Sequence, residues 1–217
     1  MTRPQVLVID AGLGNIGSVV AALQREDCDV HKLKKPPAPD SPNEFTHVVL
    51  PGVGAFTAGM QALYSTGWAS WIKNIWLKAD RPLLGICLGM QLLASHGVEG
   101  SEDGKEVAGL DLVPGRVERL QISPHLVLPH VGWNSLHWNE TGHKLSESLP
   151  QGGDMYFVHS YTFRTYNSAN CLAVSEYGEK FTAVVGRGLC FGVQFHPEKS
   201  QRLGRLLLGN FLEMTSC

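Results

Sequence analysis

Residues 81–94 read RPLLGICLGMQLLA. Arg81–Cys87 is an apolar run of strand length, and Leu88–Ala94 follows at once as the opening of a helix. A buried strand that turns straight into a helix is the junction on which layered α/β folds are built. The same alternation recurs toward the N-terminus. His47–Leu50 (HVVL) reads as a strand closed abruptly by Pro51-Gly52, and Gln5–Ile9 (QVLVI) as another. Both are continuous apolar runs, as expected of strands covered on both faces of a parallel sheet. Asp29–Leu33 is a weaker strand. Val19, Val20 and Leu23 mark a helix after the turn punctuated by Gly12, Gly14 and Gly17. The spacing of Trp68, Trp71, Ile72, Ile75 and Trp76 predicts a helix over 68–79. Lys35–Pro42 holds four prolines and reads as a loop. Strand and helix in alternation predict a parallel sheet with helices on its faces.

Beyond residue 110 the pattern changes. Short strand candidates stand at Arg116–Leu120, Met155–Val158, Tyr161–Thr165, Cys171–Tyr177, Phe181–Val185 and Leu189–Phe195. Ser200–Glu213 reads as a helix with Leu203, Leu207 and Phe211 on one stripe. Hairpins appended to a parallel sheet accommodate this. With no repeat, low-complexity tract or linker, residues 1–217 are expected to form a single domain.

The bulk numbers narrow the function. Of 217 residues, 43% are hydrophobic and 18% charged, an ordinary globular balance. A net charge of −2 leaves no electrostatic footprint for a nucleic-acid binder. No stretch approaches the ~20 apolar residues of a membrane span. The five cysteines, Cys28, Cys87, Cys171, Cys190 and Cys217, are odd in number and contain no CxxC pair. That argues against a disulfide scaffold or a cysteine zinc site and fits a reducing, cytoplasmic setting. Histidines 125, 130, 137 and 143 have no metal-ligand spacing, and His125 and His130 are expected in a loop; neither a metal nor a cofactor is expected.

Gly85-Ile86-Cys87-Leu88-Gly89 has the spacing of a nucleophile elbow with cysteine in the serine position. The two flanking glycines answer a physical need, because strand and helix approach closely there. Free N–H groups at the helix start favour a thiolate. The Leu88 N–H points where an oxyanion would form. Gln91, four residues on, shares the helical face of Cys87. Taken alone, the elbow is equally compatible with a buried structural cysteine. Phe191–Glu198 (FGVQFHPE) supplies a base. Pro197 holds the preceding residue extended, so Glu198 can lie beside His196, accept its ring N–H and leave the other nitrogen for Cys87. A histidine after a strand is by itself more often a surface residue, and it is the pairing with an elbow cysteine that gives it meaning. A third segment, His47–Phe56 (HVVLPGVGAF), ends a strand at Gly52 and Gly54. Backbone N–H groups there can meet a carbonyl oxygen from the other side. The segment does not continue into a dinucleotide fingerprint, since Thr57 stands where a further glycine is required.

Together PGVGAF (51–56), GICLGMQLL (85–93) and FGVQFHPEKS (191–200) resemble the class I (triad) glutamine amidotransferases. DAGLGNIGSV (10–19), PHVGWN (129–134) and FVHSY (157–161) narrow the likeness to the glutaminase subunits of imidazole glycerol phosphate synthases, enzymes of histidine biosynthesis. The resemblance covers nearly the whole chain. It implies a flavodoxin-like doubly wound, mostly parallel sheet with appended β-hairpins. It implies hydrolysis of glutamine through a thioester on Cys87, with His196 and Glu198 completing the triad. It further implies an oxyanion hole from the backbone of Val53 and Leu88, and glutamine held at Gly52, Gly54, Gln91, Ser160 and Tyr161, with Glu99 as a looser match. The implied partner is a (β/α)8-barrel cyclase that receives the ammonia, with the Asn15 loop facing it. One position departs from the family: an aromatic residue usually follows the first aspartate, where this chain has Ala11. The segment Gly97–Val107 has no clear counterpart. Two other readings stay open: a glutaminase or related hydrolase serving a different acceptor, and a non-catalytic relative that only docks.

Overall fold

A computed structural model describes residues 3–38, 44–139 and 144–214. The prolines at 39 and 42, His143 and Cys217 lie outside the described residues. The first half runs β1 (Gln5–Ile9), α1 (Ile16–Leu23), β2 (Asp29–Leu33), β3 (His47–Gly52), α2 (Phe56–Thr66), α3 (Trp68–Trp71), β4 (Leu83–Cys87) and α4 (Leu88–Gln91). The second half runs β5 (His96–Gly97), β6 (Val107–Ala108), β7 (Gly115–Arg119), β8 (His130–Trp138), β9 (Gly153–His159), β10 (Tyr161–Thr165), β11 (Cys171–Tyr177), β12 (Glu179–Arg187), β13 (Cys190–Val193) and α5 (Gln201–Leu212).

Five strands form a parallel centre in the order β2-β1-β3-β4-β13. This is the flavodoxin-like order, with the last strand in sequence beside β4. Residues alternate across it. Val6, Val8, Val49, Leu84 and Ile86 pack toward α1 and α5. Leu7, Ile9, Val48, Leu50 and Leu83 pack toward α2 and the tryptophan helix. Both faces of β1, β3 and β4 are therefore covered, which is why these three strands are apolar rather than alternating, while the edge strand β2 stays partly exposed. Beyond β13 the sheet continues through antiparallel β12 and β10, while β11, β8 and β9 branch off as hairpins.

Four details differ from the sequence reading. β3 does not stop at Leu50 but pairs with β4 through Pro51 and Gly52. The missing N–H of Pro51 costs nothing, because β1 pairs with β3 only as far as Val49. The helix expected over 68–79 is α-helical only to Trp71, π-helical over Ile72–Trp76 and 3-10 over Leu77–Ala79. Trp71 and Trp76 are five residues apart, and a π-turn brings such pairs onto one face; their rings stack at 5.5 Å. The helix expected over 88–94 makes a single turn. The carbonyls of Leu92, Leu93, Ala94 and Ser95 accept instead from the backbone N–H groups of residues 109–113, which leaves no room for a second turn. His130 lies on β8, buried, not in a loop. The loop after Gly97 is the connection between β5 and β6, which pair antiparallel.

Candidate active site

The site is built where β4 ends. Cys87 has φ 54° and ψ −112°, a conformation that costs a non-glycine residue about 1–3 kcal/mol and pushes its side chain out of the sheet. The two glycines make that turn possible. A Cβ on Gly89 would lie 1.8 Å from the Leu50 carbonyl oxygen, and one on Gly85 would lie 2.6 Å from that of Gly89. Cys87 is 7% exposed at the floor of an open cleft of about 470 Å³.

β13 is hydrogen-bonded to β4 in parallel, so the segment that follows it is delivered to the same end of the sheet as Cys87. His196 lines the same cleft as Cys87, and its Nδ1 lies 2.8 Å from Glu198 Oε1. Pro197 and Glu198 open a 3-10 turn with His196 in an extended cap position, which folds the carboxylate back beside its own imidazole. Burial works against a charged ring here. The hydrogen bonds and negative charges of Cys87 and Glu198 outweigh it and raise the His196 pKa from its ordinary 6.5 to about 9. Asn15, in a left-handed conformation at the start of α1, donates from Nδ2 to Glu198 Oε1 at 3.3 Å.

Val53, Gly54, Leu88, Gln91, Ser160 and Tyr161 line the cleft. Glu99 lines it too, its carboxyl raised by burial against a weaker lowering from a backbone hydrogen bond. Gly52 lies beneath, beside a small void it shares with Glu198. Leu88 begins a helical turn, so its amide has no helical carbonyl to reach. The Val53 N–H departs from expectation. It donates to the Leu13 carbonyl at 2.8 Å and so is satisfied by the loop after β1 instead of facing the cleft.

Several neighbours were missed from sequence. Gln194, with no exposed surface, donates from Nε2 to the Cys87 sulfur at 3.8 Å. Its spacing of two from His196 was the available signal, because residues two apart in an extended segment face one way. His159 Nδ1 lies 2.9 Å from the Tyr161 carbonyl, and its Nε2 lies 3.1 Å from His130 Nδ1. Burial keeps both rings neutral, lowering His159 to about 3 and His130 to about 4. Among the described residues, no three His, Cys, Asp or Glu side chains converge as a metal-binding group.

A strained, cleft-facing cysteine, an imidazolium beside it and a carboxylate behind that can perform acyl transfer from an amide or ester. Comparison with known proteins places this geometry in a family. The model of the class-I glutamine amidotransferases matches residues 7–214. The chain is 54% identical over 215 residues to the imidazole glycerol phosphate synthase subunit HisH 1 of Prochlorococcus marinus, covering 98% of each chain. It is 44% identical to the HisH subunit of Moorella thermoacetica, covering 98% of this chain and 95% of that one. Among solved structures, a glutamine amidotransferase from Thermotoga maritima aligns with a TM-score of 0.66 at 19% identity, over 99% of this chain and 100% of that one. PurLQS from the same organism aligns at 0.67 and 17%, over 97% and 98%. At such identities the shared property is the fold, whereas the sequence relatives and the family model carry the lineage. The chain belongs to the class-I glutamine amidotransferase family.

Proposed function

We propose that the protein is the glutaminase subunit of an imidazole glycerol phosphate synthase, hydrolysing glutamine with Cys87 as nucleophile. The Cys87 thiolate attacks the side-chain amide carbon. The C–N bond breaks as the His196 imidazolium gives its proton to the leaving nitrogen, releasing ammonia and leaving a γ-glutamyl thioester. Water then attacks the thioester and gives a proton to the neutral imidazole. Glutamate leaves, and the thiolate–imidazolium pair is restored. Glu198 holds the ring in orientation. The observation that carries the reading is the meeting of Cys87 and His196 in one cleft, with Glu198 hydrogen-bonded to the imidazole from behind. Gly54, Gln91, Ser160 and Tyr161 line that cleft and are proposed to hold glutamine. Gly52 acts from below by letting the next peptide turn.

The test is labelling with an electrophilic glutamine analogue, expected to leave one adduct, on residue 87, by mass spectrometry. Cys87→Ala is expected to lose glutaminase activity entirely. In complex with the partner it should still support synthesis from ammonium salts. Loss of both activities would make Cys87 structural.

The proposed partner is a (β/α)8-barrel cyclase that forms imidazole glycerol phosphate and aminoimidazole carboxamide ribotide in the cytoplasm. Ammonia is mostly protonated in neutral water, so a dry passage between the proteins preserves the nucleophile. The surface suits such a contact: Val53 is exposed at the cleft, Val131 and Trp133 are exposed on β8, and Trp133 packs edge-on to Tyr156, over whose ring the cleft residue Lys199 places its Nζ at 5.6 Å. With its N–H held by Leu13, the Val53 peptide must rotate to complete the oxyanion hole with Leu88. The free chain is therefore expected to turn over glutamine slowly, and the barrel with its ligand to accelerate it a hundredfold or more, one missing oxyanion donor costing about 10²–10³ in rate. Equal turnover with and without the barrel would defeat this part of the reading.

A further inference from the structure

We infer that Gln194 is a further catalytic residue, whose amide N–H holds the Cys87 sulfur as a thiolate; the inference rests on Cys87 being the nucleophile. The orientation of the Gln194 amide follows from a chain of hydrogen bonds in which each link has one polarity. The Tyr161 carbonyl can only accept. It takes a proton from His159 Nδ1 at 2.9 Å and another from Gln91 Nε2 at 3.1 Å. His159 therefore presents Nε2 as an acceptor, matched by His130 Nδ1 at 3.1 Å. Because Gln91 must show Tyr161 its nitrogen, the second proton on that nitrogen needs another acceptor. It finds Gln194 Oε1 at 3.0 Å. With its oxygen committed to Gln91, Gln194 turns Nε2 toward sulfur, at 3.8 Å.

That contact is long for a neutral thiol, and it gains most when the sulfur is charged. A second group opposes it. The Val158 carbonyl stands 3.7 Å from the same sulfur and can only accept, so it favours the S–H form. Gln194 and His196 together face this single carbonyl. Removing the amide leaves His196 alone against it. Gln194 has no exposed surface, and Gln91 and His159 around it are buried, so the donor lost with its amide comes from the closed side of the sulfur, away from the open cleft. The other titratable groups around the sulfur are Glu198 behind His196 and, across the cleft, Glu99, His159, Tyr161 and Lys199.

Gln194→Met keeps the length and removes the donor. Gln194→Asn keeps an amide but withdraws it by one methylene. The experiment follows iodoacetamide alkylation of residue 87 against pH, read by peptide mass spectrometry, in each protein bound to its barrel partner. Folded fraction is checked by circular dichroism. In both variants the pH of half-maximal alkylation is expected to move up by about one unit, with kcat for glutamine falling about tenfold and KM changing less than threefold. A residue that only fills space would lower the melting temperature and leave the alkylation midpoint where it was. An unmoved midpoint in either folded variant overturns the inference. If Gln194→Met does not fold, Gln194→Asn decides alone. Failure of the nucleophile assignment gives a different result: Cys87→Ala would still hydrolyse glutamine.

Discussion

At the scale of single residues, the proposed chemistry turns on His196. Its pKa of about 9 reflects two negative neighbours, of which Glu198 can be removed without touching sulfur. In Glu198→Gln the proton is held less firmly. The alkaline limb of kcat/KM, expected near pH 9 in the parent, should move to lower pH by a unit or more. A pH-rate profile measured on the complex checks this, and an unshifted limb would mean that the limb belongs to another group. Cys87, His196 and Glu198 could be singled out in the sequence because each sits in a motif with its own physical logic: glycine flanks for Cys87, a proline hinge for His196 and Glu198. The Gln194 contact and the direction of the Val53 N–H were not legible. Both depend on which of two partners a rotatable group meets, and that choice is made by chain segments far away in sequence. Leu13, forty residues before Val53, is what holds the peptide.

At the scale of elements, several strands could be read to the residue, since β1, β2, β10 and β11 occupy the expected limits. Their boundaries are set by local turn chemistry. Long-range competition accounts for the misses. α4 stops after one turn because residues 109–113 take its next carbonyls, and a local window cannot see that donor segment. β8 was not legible because its exposed residues Val131 and Trp133 break the polar alternation of a half-buried strand. Those same residues bear on the proposed partner contact. Trp133 is 46% exposed on the β8–β9 hairpin. Trp133→Ala is expected to weaken the barrel complex tenfold or more, in line with interface aromatics whose loss costs about 2 kcal/mol or more. The melting temperature of the free chain should hardly change. Titration calorimetry would test it, and undiminished affinity would remove the hairpin from the interface.

At the scale of the whole molecule, buried histidines pull stability in opposite directions with pH. His47, His130 and His159 are kept neutral by burial, with pKa values of about 4, 4 and 3. Below pH 6.5 their unfolded counterparts bind protons that the folded rings refuse, so stability falls as the solution is acidified toward pH 4. His196 acts the other way. Its folded pKa is raised, so its contribution is complete below pH 6.5 and is lost as pH climbs through about 9. The free chain is expected to be most stable near pH 6.5, with the steeper decline on the acid side, where three rings act against one. Urea midpoints across pH 4–9 measure this, and a flat profile would contradict it.

The position of β13 carries one more consequence. The strand beside the cysteine strand is the last to be synthesised, after every other strand of the sheet. A nascent chain emerging from the ribosome therefore displays one apolar edge of β4 without its neighbour, and Cys87 without His196, until translation has passed residue 198. If Cys87 and His196 work as proposed, the newborn polypeptide cannot squander glutamine, and a chaperone has a defined sticky edge to shield during that interval.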